Sequence, residues 1–250
     1  MGSFLDKLSD IFPRPIQKGH PFTSAVVLCA GLGHRFGNGT TKQNALLLGI
    51  PVAVHTFLAF EKCETVDEVI AVTRPEEAGL FREYKEKYNI TKLTKIVNGG
   101  DTRQDSSRLG FDATDDRSKY VLIHDGARCL VTPEIIDSTA RASYESGAAA
   151  AAERSRDTVK IADSDGMISE TVDRDKVWLV KTPQAFMANM YRAAAYMAKK
   201  DSVAVTDDCM MAERLGFRIK LVDCGSQNLK ITFPEDMIIA EAILRSRGAV

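Results

Sequence analysis

The stretch Ala25 to Gln43, AVVLCAGLGHRFGNGTTKQ, carries residue types suited to holding phosphates. An apolar run from Ala25 to Leu28 breaks into Gly31-Leu32-Gly33, and two cations follow at Arg35 and Lys42. Glycines let a backbone approach an anion closely with its N–H groups directed at the oxygens, while arginine and lysine add mobile positive charge. The chemistry this suggests is the binding of a nucleoside triphosphate. The dinucleotide fingerprint GxGxxG begins the same way. Its third glycine, which must be small for helix and strand to pack closely, is here Phe36. Taken alone, the stretch also fits a tight strand-to-loop turn with two solvated cations.

The rest of the chain bounds what such a loop could serve. Its 250 residues with 44% hydrophobic content are enough for one large α/β domain. A formal net charge of −1 provides no general field to gather nucleic acid or an anionic membrane, so an anion site must be local and its ligand small. There is no transmembrane segment in the pattern and no aromatic-basic run for nucleic acid. Cys29, Cys63, Cys129, Cys209 and Cys224 are odd in number and lack the paired spacing of metal or redox motifs, which predicts a reduced, cytoplasmic protein. His34, His55 and His124 lack metal-ligand spacing, and His20 falls in a linker. These are expected to be loop or packing residues.

The elements that must position the loop follow from periodicity. Residues 3 to 12 place Phe4, Leu5, Leu8, Ile11 and Phe12 on one helical face, and Pro13, Pro15, Gly19 and Pro21 mark a linker. This divides the chain into an amino-terminal helix and linker, 1–23, and a domain, 24–250. Within the domain, Ala25 to Leu28 is a strand, Val52 to Phe60 a helix and Val69 to Thr73 a strand. A helix opening at Pro75 follows, with Glu76 and Glu77 at its positive end and a buried stripe of Leu80, Phe81, Tyr84 and Tyr88. Lys95 to Asn98 is a strand ending at Gly99-Gly100-Asp101, after which Arg103 to Ala113 can form a helix beginning near Asp105 and Ser106. Tyr120 to Ile123 is a strand stopped by His124-Asp125-Gly126-Ala127-Arg128, and Pro133 to Ser146 a helix. Alternation of this kind predicts a mainly parallel sheet covered on both faces, with its ligand crevice beyond the carboxyl ends of the strands.

From Ala148 the rhythm changes. Val159 and Ile161 alternate with polar residues, Asp163-Ser164-Asp165-Gly166 is a hairpin turn, and Met167 to Val172 returns. This predicts an inserted β-hairpin arm at about 155–174. A hairpin alone is marginally stable and needs something to pack on, such as a second subunit. After Thr182-Pro183-Gln184 come a helix from Met187 to Lys199, a helix start at Thr206-Asp207-Asp208, strands at Ile219 to Val222 and Leu229 to Thr232, and a last helix from Pro234 to about Arg247.

Eight motifs stand in order: AGLGHRF with Lys42-Gln43, NGGDTRQDS from Asn98, HDGAR from His124, RDTVK from Arg156, TVDR from Thr171, TPQAF from Thr182, TDD from Thr206 and NLKITFPED from Asn228. Together, over roughly residues 24 to 247, they resemble the 2-C-methyl-D-erythritol 4-phosphate cytidylyltransferases of the non-mevalonate isoprenoid pathway. The resemblance implies a single Rossmann-like nucleotidyltransferase domain that joins CTP to methylerythritol phosphate and releases pyrophosphate. The nucleophile would already be a phosphate oxygen, so catalysis would consist of positioning and charge neutralisation around the α-phosphorus.

By the same resemblance, Arg35, Lys42, Arg174 and Lys230 are the catalytic cations. CTP would lie against Cys29, Ala30, Gly31, Gly33, Gly100, Asp101, Ser106 and Gly126. The acceptor would be held by Asp125, Thr158, Arg174, Thr206 and Lys230, with Thr158 and Arg174 reaching a neighbour's site across a homodimer formed through the arm. Magnesium would ride on the triphosphate, with no dedicated protein ligand. Intact Arg35, Lys42, Arg174 and Lys230 argue against a non-catalytic nucleotide-binding regulator, and TVDR and TDD favour methylerythritol phosphate over ribitol 5-phosphate as acceptor. Four places depart from the family pattern: Asn44 where an aromatic is common, Cys129 for a proline, Glu153-Arg154-Ser155 for small and apolar residues, and Asp208 for a glutamate.

Overall fold

A computed structural model describes residues 19–31, 36, 41–201 and 203–248. The expected helix over residues 3 to 12, Gly33, His34 and Arg35 lie outside the described residues. In chain order the elements are β1 (Thr23–Leu28), β2 (Leu46–Leu47), β3 (Ile50–Pro51), α1 (Val52–Lys62), β4 (Glu68–Thr73), α2 (Ala78–Lys87), β5 (Leu93–Asn98), α3 (Arg103–Asp112), β6 (Tyr120–Asp125) and α4 (Pro133–Ser146). There follow β7 (Ala148–Arg154), β8 (Val159–Ala162), β9 (Ile168–Val172), β10 (Trp178–Met187), α5 (Ala188–Lys200), α6 (Asp208–Arg214), β11 (Lys220–Asp223) and α7 (Glu235–Ser246).

Seven strands form the main sheet in the order β11-β7-β10-β6-β1-β4-β5. β1 pairs in parallel with β4 and β6, β4 with β5, and β7 with β11. Of the seven, β10 alone is reversed, lying antiparallel between β6 and β7. β1, β4 and β6 are buried at every residue, as expected of parallel strands covered on both faces. That double burial is what their unbroken apolar runs encode. The carboxyl ends of β1, β4, β5 and β6 all open on one edge, which is where the glycine and aspartate turns of the sequence fall.

Helix ends are set by side chains that satisfy otherwise unpaired N–H groups. Thr132 accepts from the Ile135 N–H ahead of Pro133, and Asp207 accepts from the Met210 N–H at the start of α6. Thr102 caps α3 by accepting from the Asp105 N–H, so the helix starts at Arg103, the first residue of the expected Arg103–Ala113 span. α3 lies close on the sheet at Gly110, where an added Cβ would sit 2.3 Å from Val26 Cγ1 and 2.7 Å from Val72 Cγ2. This close approach seats α3 directly on β1 and β4.

Several expectations are corrected. β7 and β10 are strands that periodicity does not reveal. β7 is five alanines followed by Glu153 and Arg154, and the alanines are fully buried between β10 and β11. Alanine favours helix, but here pairing on both sides overrides propensity. β10 runs through Pro183, and its register with β7 shifts between Val180 and Gln184, where proline has no N–H to contribute. Leu229 to Thr232 is not a strand. Its one backbone link to the sheet region is the Ile231 N–H donating to the Ala127 carbonyl, so the segment is a strap over the end of β6. On α2 only Phe81 of the expected stripe is fully buried; Leu80, Tyr84 and Tyr88 are half-buried.

The inserted arm is present. β8 and β9 form their own two-stranded sheet, closed by a turn in which Asp163 Oδ1 accepts the N–H groups of Asp165 and Met167. The base of the arm is fastened where Arg154 opposes Trp178, its guanidinium 4.3 Å from the centre of the ring. Glu153 and Lys181 add an ion pair of 2.7 Å beside it. These contacts give Glu153 and Arg154 a structural role at the base of the arm. Ile161, Met167 and Ile168 on the arm are exposed.

Gly110→Ala is expected to destabilise the fold by about 1–3 kcal/mol, since the methyl group must displace β-branched side chains in the core. Urea unfolding of the parent and the variant measures this; equal midpoints would contradict the close approach.

Candidate active site

A cleft of about 550 Å³ opens at the carboxyl edge of the sheet. Each of its walls is the end of a strand. β1 contributes Leu28 and the following Ala30 and Gly31; β4 contributes Thr73 and then Arg74; β5 leads into Gly99, Gly100 and Asp101; and β6 ends in Asp125. Lys42 and Gln43 enter from the loop before β2, Arg103 and Ser106 from the first turns of α3, and Lys230 from the strap.

The turn after β5 requires its two glycines. A Cβ on Gly99 would lie 2.5 Å from Ala30 Cβ and 2.9 Å from Ser106 Oγ, and one on Gly100 would lie 2.5 Å from Asp105 Cβ. The Gly100 N–H donates to Ser106 Oγ at 3.1 Å, which ties the turn to α3. This wall is therefore backbone, with no room for side chains at its two glycines.

Opposite it, a buried carboxylate organises the cations. Asp125 Oδ1 accepts from Arg103 Nε at 3.2 Å and Oδ2 from Lys230 Nζ at 2.8 Å, with Arg128 Nε 3.9 Å from Oδ2. Burial by itself would raise the Asp125 carboxyl, but Arg103, Lys230 and Arg128 outweigh it and hold the group well below the usual carboxylate range. Arg103 also donates to Asp208 Oδ2 at 2.6 Å. Burial works against its charge, yet Asp208 and Asp125 hold it above the ordinary arginine value. Asp125 is thus a fixed anion that aims cations into the cleft.

His124, fully buried beneath Asp125, helps fix this arrangement. Its Nε2 lies 3.3 Å from the Arg128 carbonyl, which can only accept, so Nε2 carries the proton. Its Nδ1 then accepts from Thr182 Oγ1 at 3.1 Å, and Thr182 Oγ1 in turn accepts the Asp125 N–H at 3.0 Å. Burial pushes the imidazole down to about 3, so it is neutral at ordinary pH. The loop carrying Lys42 is anchored from the far side. Buried Glu77 accepts from Thr41 Oγ1 at 2.8 Å and from Asn44 Nδ2 at 2.7 Å, and pairs with Arg74 at 3.0 Å.

Similarity to known proteins extends over the whole of this framework. The family profile described as IspD, 2-C-methyl-D-erythritol 4-phosphate cytidylyltransferase, matches residues 23–246. The chain belongs to this family. A 2-C-methyl-D-erythritol 4-phosphate cytidylyltransferase of Syntrophus aciditrophicus is 41% identical, covering 90% of this chain and 97% of the relative. One from Caldanaerobacter subterraneus is 40% identical, over 89% of this chain and 98% of its own. The crystal structure of 4-diphosphocytidyl-2C-methyl-D-erythritol synthase from Anaerococcus prevotii superposes with a TM-score of 0.80 at 32% identity, covering 90% and 96% of the two chains.

Among the residues expected from this cytidylyltransferase family, Ala30, Gly31, Lys42, Gly100, Asp101, Ser106, Asp125 and Lys230 meet at the cleft. Cys29 and Gly126 stand behind its wall. The Cys29 N–H is spent on the Val72 carbonyl, and the thiol, buried and pushed up in pKa by desolvation, packs where a Cβ on Gly126 would be 2.4 Å away. Gly126 donates to Leu28 and accepts from Thr56, so the glycine serves packing, and Ala127 takes its place on the cleft wall. Thr158, Arg174 and Thr206 are exposed and line no part of this chain's own cleft. Arg35 and Gly33 lie outside the described residues.

Arg103, Glu77, Asp208 and Thr182 are site residues that sequence reasoning did not single out. Arg103 did leave a signal. A cation in the first turn of a helix opposes the macrodipole, and such a residue calls for an acidic partner elsewhere.

The pH dependence of stability follows from His124 and Asp125. Below pH 6.5 the unfolded chain protonates a histidine that the fold keeps neutral down to about 3, so stability falls with acid across that interval. His55, also lowered by burial, acts in the same sense. Asp125, whose folded pKa is depressed, adds its loss only as pH drops below its ordinary 3.8. His124→Gln is expected to remove up to about 1.4 kcal/mol per pH unit of this slope between pH 6.5 and 4.5, read from urea midpoints. An unchanged slope would mean that His124 is not held neutral.

Proposed function

We propose that this chain transfers the cytidylyl group of CTP to 2-C-methyl-D-erythritol 4-phosphate. The observation that carries this reading is the convergence, in one cleft of a chain of this family, of a glycine-backed wall with Lys42 and with the cations held by Asp125. An oxygen of the acceptor phosphate attacks the α-phosphorus of CTP. The new P–O bond forms as the bond to the β-phosphate breaks, and the electron pair leaves with pyrophosphate. No proton need be removed from the nucleophile, so the protein's part is to align two anions and offset the charge that accumulates between them.

The cytosine ring fits against the Gly99–Gly100 turn, where backbone groups read its edge. Arg35 and Lys42 neutralise the triphosphate and the crowded phosphorus, interacting more strongly there than with ground-state CTP. Lys230, pre-aimed by Asp125, directs the acceptor phosphate. Arg174 and Thr158 come from a partner subunit's arm. The exposed apolar residues of the arm and its separate sheet support this, since such a hairpin needs a surface to cover it.

Among the described residues no group of three or more His, Cys, Asp or Glu could hold a metal ion. Both Asp125 oxygens already accept from cations. This donor set fits a magnesium ion brought in on the triphosphate and not a protein cage. Bound there, the ion would add to the neutralisation of phosphate charge. No helix among the described residues is long and apolar enough to cross a membrane, and the five cysteines are free thiols. Both observations agree with a cytoplasmic location.

Pyrophosphate release from CTP is expected with 2-C-methyl-D-erythritol 4-phosphate and to be far slower with ribitol 5-phosphate; the reverse preference would overturn the acceptor assignment. Lys42→Ala should lower kcat about 100- to 1,000-fold, as loss of one transition-state donor does, whereas Arg174→Ala should chiefly raise the acceptor KM. Mixing these two impaired variants, assayed at an acceptor concentration too low for Arg174→Ala to turn over, tests the arm. If the arm crosses, a mixed dimer contains one intact site and activity returns; if each subunit uses its own arm, no mixed dimer regains it.

A further inference from the structure

Arg103 joins the cleft to the acceptor side of the molecule. Arg103 reaches Asp125 with Nε and Asp208 with Nη1. Asp208 is 1% exposed and fully engaged. Its second oxygen accepts from Ser107 Oγ at 2.6 Å and from Tyr191 OH at 3.0 Å. Its N–H and that of Cys209 both donate to Gln184 Oε1, and Gln184 Nε2 donates back to Asp207 Oδ2 at 2.8 Å. The segment that carries Thr206 is therefore pinned to the same guanidinium that pins Asp125 and, through Asp125, Lys230.

We propose that Arg103 is a positioning residue that keeps the nucleotide cleft and the acceptor-binding segment in register, with Asp208 as its fixed anchor. This rests on the cytidylyltransferase reading, in which Thr206, Asp125 and Lys230 face the acceptor. The planar guanidinium sets the distance between two carboxylates 83 positions apart in sequence, Asp125 and Asp208, because its donors diverge from one rigid plane. A lysine offers a single point of charge on a flexible stem and lacks the rigid fork that fixes the spacing of the two carboxylates. Arg103 spends two of its five N–H donors on these carboxylates, so its influence on the reaction through Asp125 and the Thr206 segment is separable by experiment from any grip of its remaining donors on the triphosphate.

Two other roles make different forecasts. If Arg103 bound CTP directly, its loss would weaken CTP binding in the absence of acceptor. If the pair only supported the fold, variants would lose stability while the folded fraction kept normal substrate constants.

The test uses the full chain carrying Asp208→Asn or Arg103→Lys, and the combination of the two. CTP binding is measured by calorimetry without acceptor, KM for each substrate by pyrophosphate release, and stability by urea unfolding. Loss of one charge-assisted link should raise the acceptor KM about tenfold while the CTP dissociation constant stays within about twofold of the parent. The double variant should be no worse than the more impaired single one, because both changes cut the same connection.

Parallel loss of affinity for both substrates, or no change in acceptor KM in a folded variant, would overturn the proposal. If Asp208→Asn does not fold, Arg103→Lys, which leaves Asp208 a cation nearby, decides alone. Failure of the underlying activity would appear differently, as absence of turnover in the parent protein before any substitution.

Discussion

The structure depends on one carboxylate held where it has little access to bulk water. Asp125 ends a fully buried strand, and an ion in that position is unfavourable by several kcal/mol unless partners replace its hydration. Its partners come from α3, from the turn after β6 and from the strap before α7. These three segments are far apart in the sequence, although the strap bonds to the turn through Ile231 and Ala127. Satisfying Asp125 therefore requires that the helix, the turn and the strap all be docked, and docking them is what builds the cleft. Completion of the fold and assembly of the site are one event, and removing a single member would leave a buried charge without full compensation.

Much of this was legible in the chain and some was not, for identifiable reasons. β1, β4 and β6 announce themselves because strands buried on both faces need unbroken apolar runs. α4 is readable to the residue because Thr132 and Pro133 are a cap and a first-turn proline. β7 is not readable, since Ala148 to Ala152 carry no strand preference of their own and become a strand only when β10 and β11 lie beside them. The reversed β10 hides behind Pro183. The charged residues of the motifs led to the cleft, but the contacts that fix them did not follow. Arg103 meets Asp208 across 105 positions and Lys230 meets Asp125 across another 105, and nothing local records such a pairing. Glu77 has the sequence setting of a helix-end acid, yet it is the buried anchor of the loop that carries Lys42.

β10 breaks the parallel rule of the sheet, and the site gains from it. Because the strand is reversed, its early residues lie at the edge where the other strands end. Thr182 consequently stands beside Asp125, and Gln184 beside the start of α6. A parallel strand in this place would deliver its last residues instead, followed at once by a helix. The reversal thus lets the chain leave the sheet as the arm on one side of the site and return to it as a supporting member.

The arm leaves from Arg154 and returns at Trp178, two residues already opposed in neighbouring strands. Its ends are therefore closed before any of its intervening residues take a position, and the main sheet does not sense how long the excursion is. Changes of length within it cost only loop-closure entropy, which grows slowly with chain length. In evolutionary terms the chain is divided into a packed sheet, with β1, β4 and β6 buried at every residue, and an exposed excursion from it. On the proposed placement of Thr158 and Arg174 at the acceptor, preference can drift along the arm while Lys42 and the Asp125 cluster stay in place, and a lineage could change what it cytidylates without rebuilding its core.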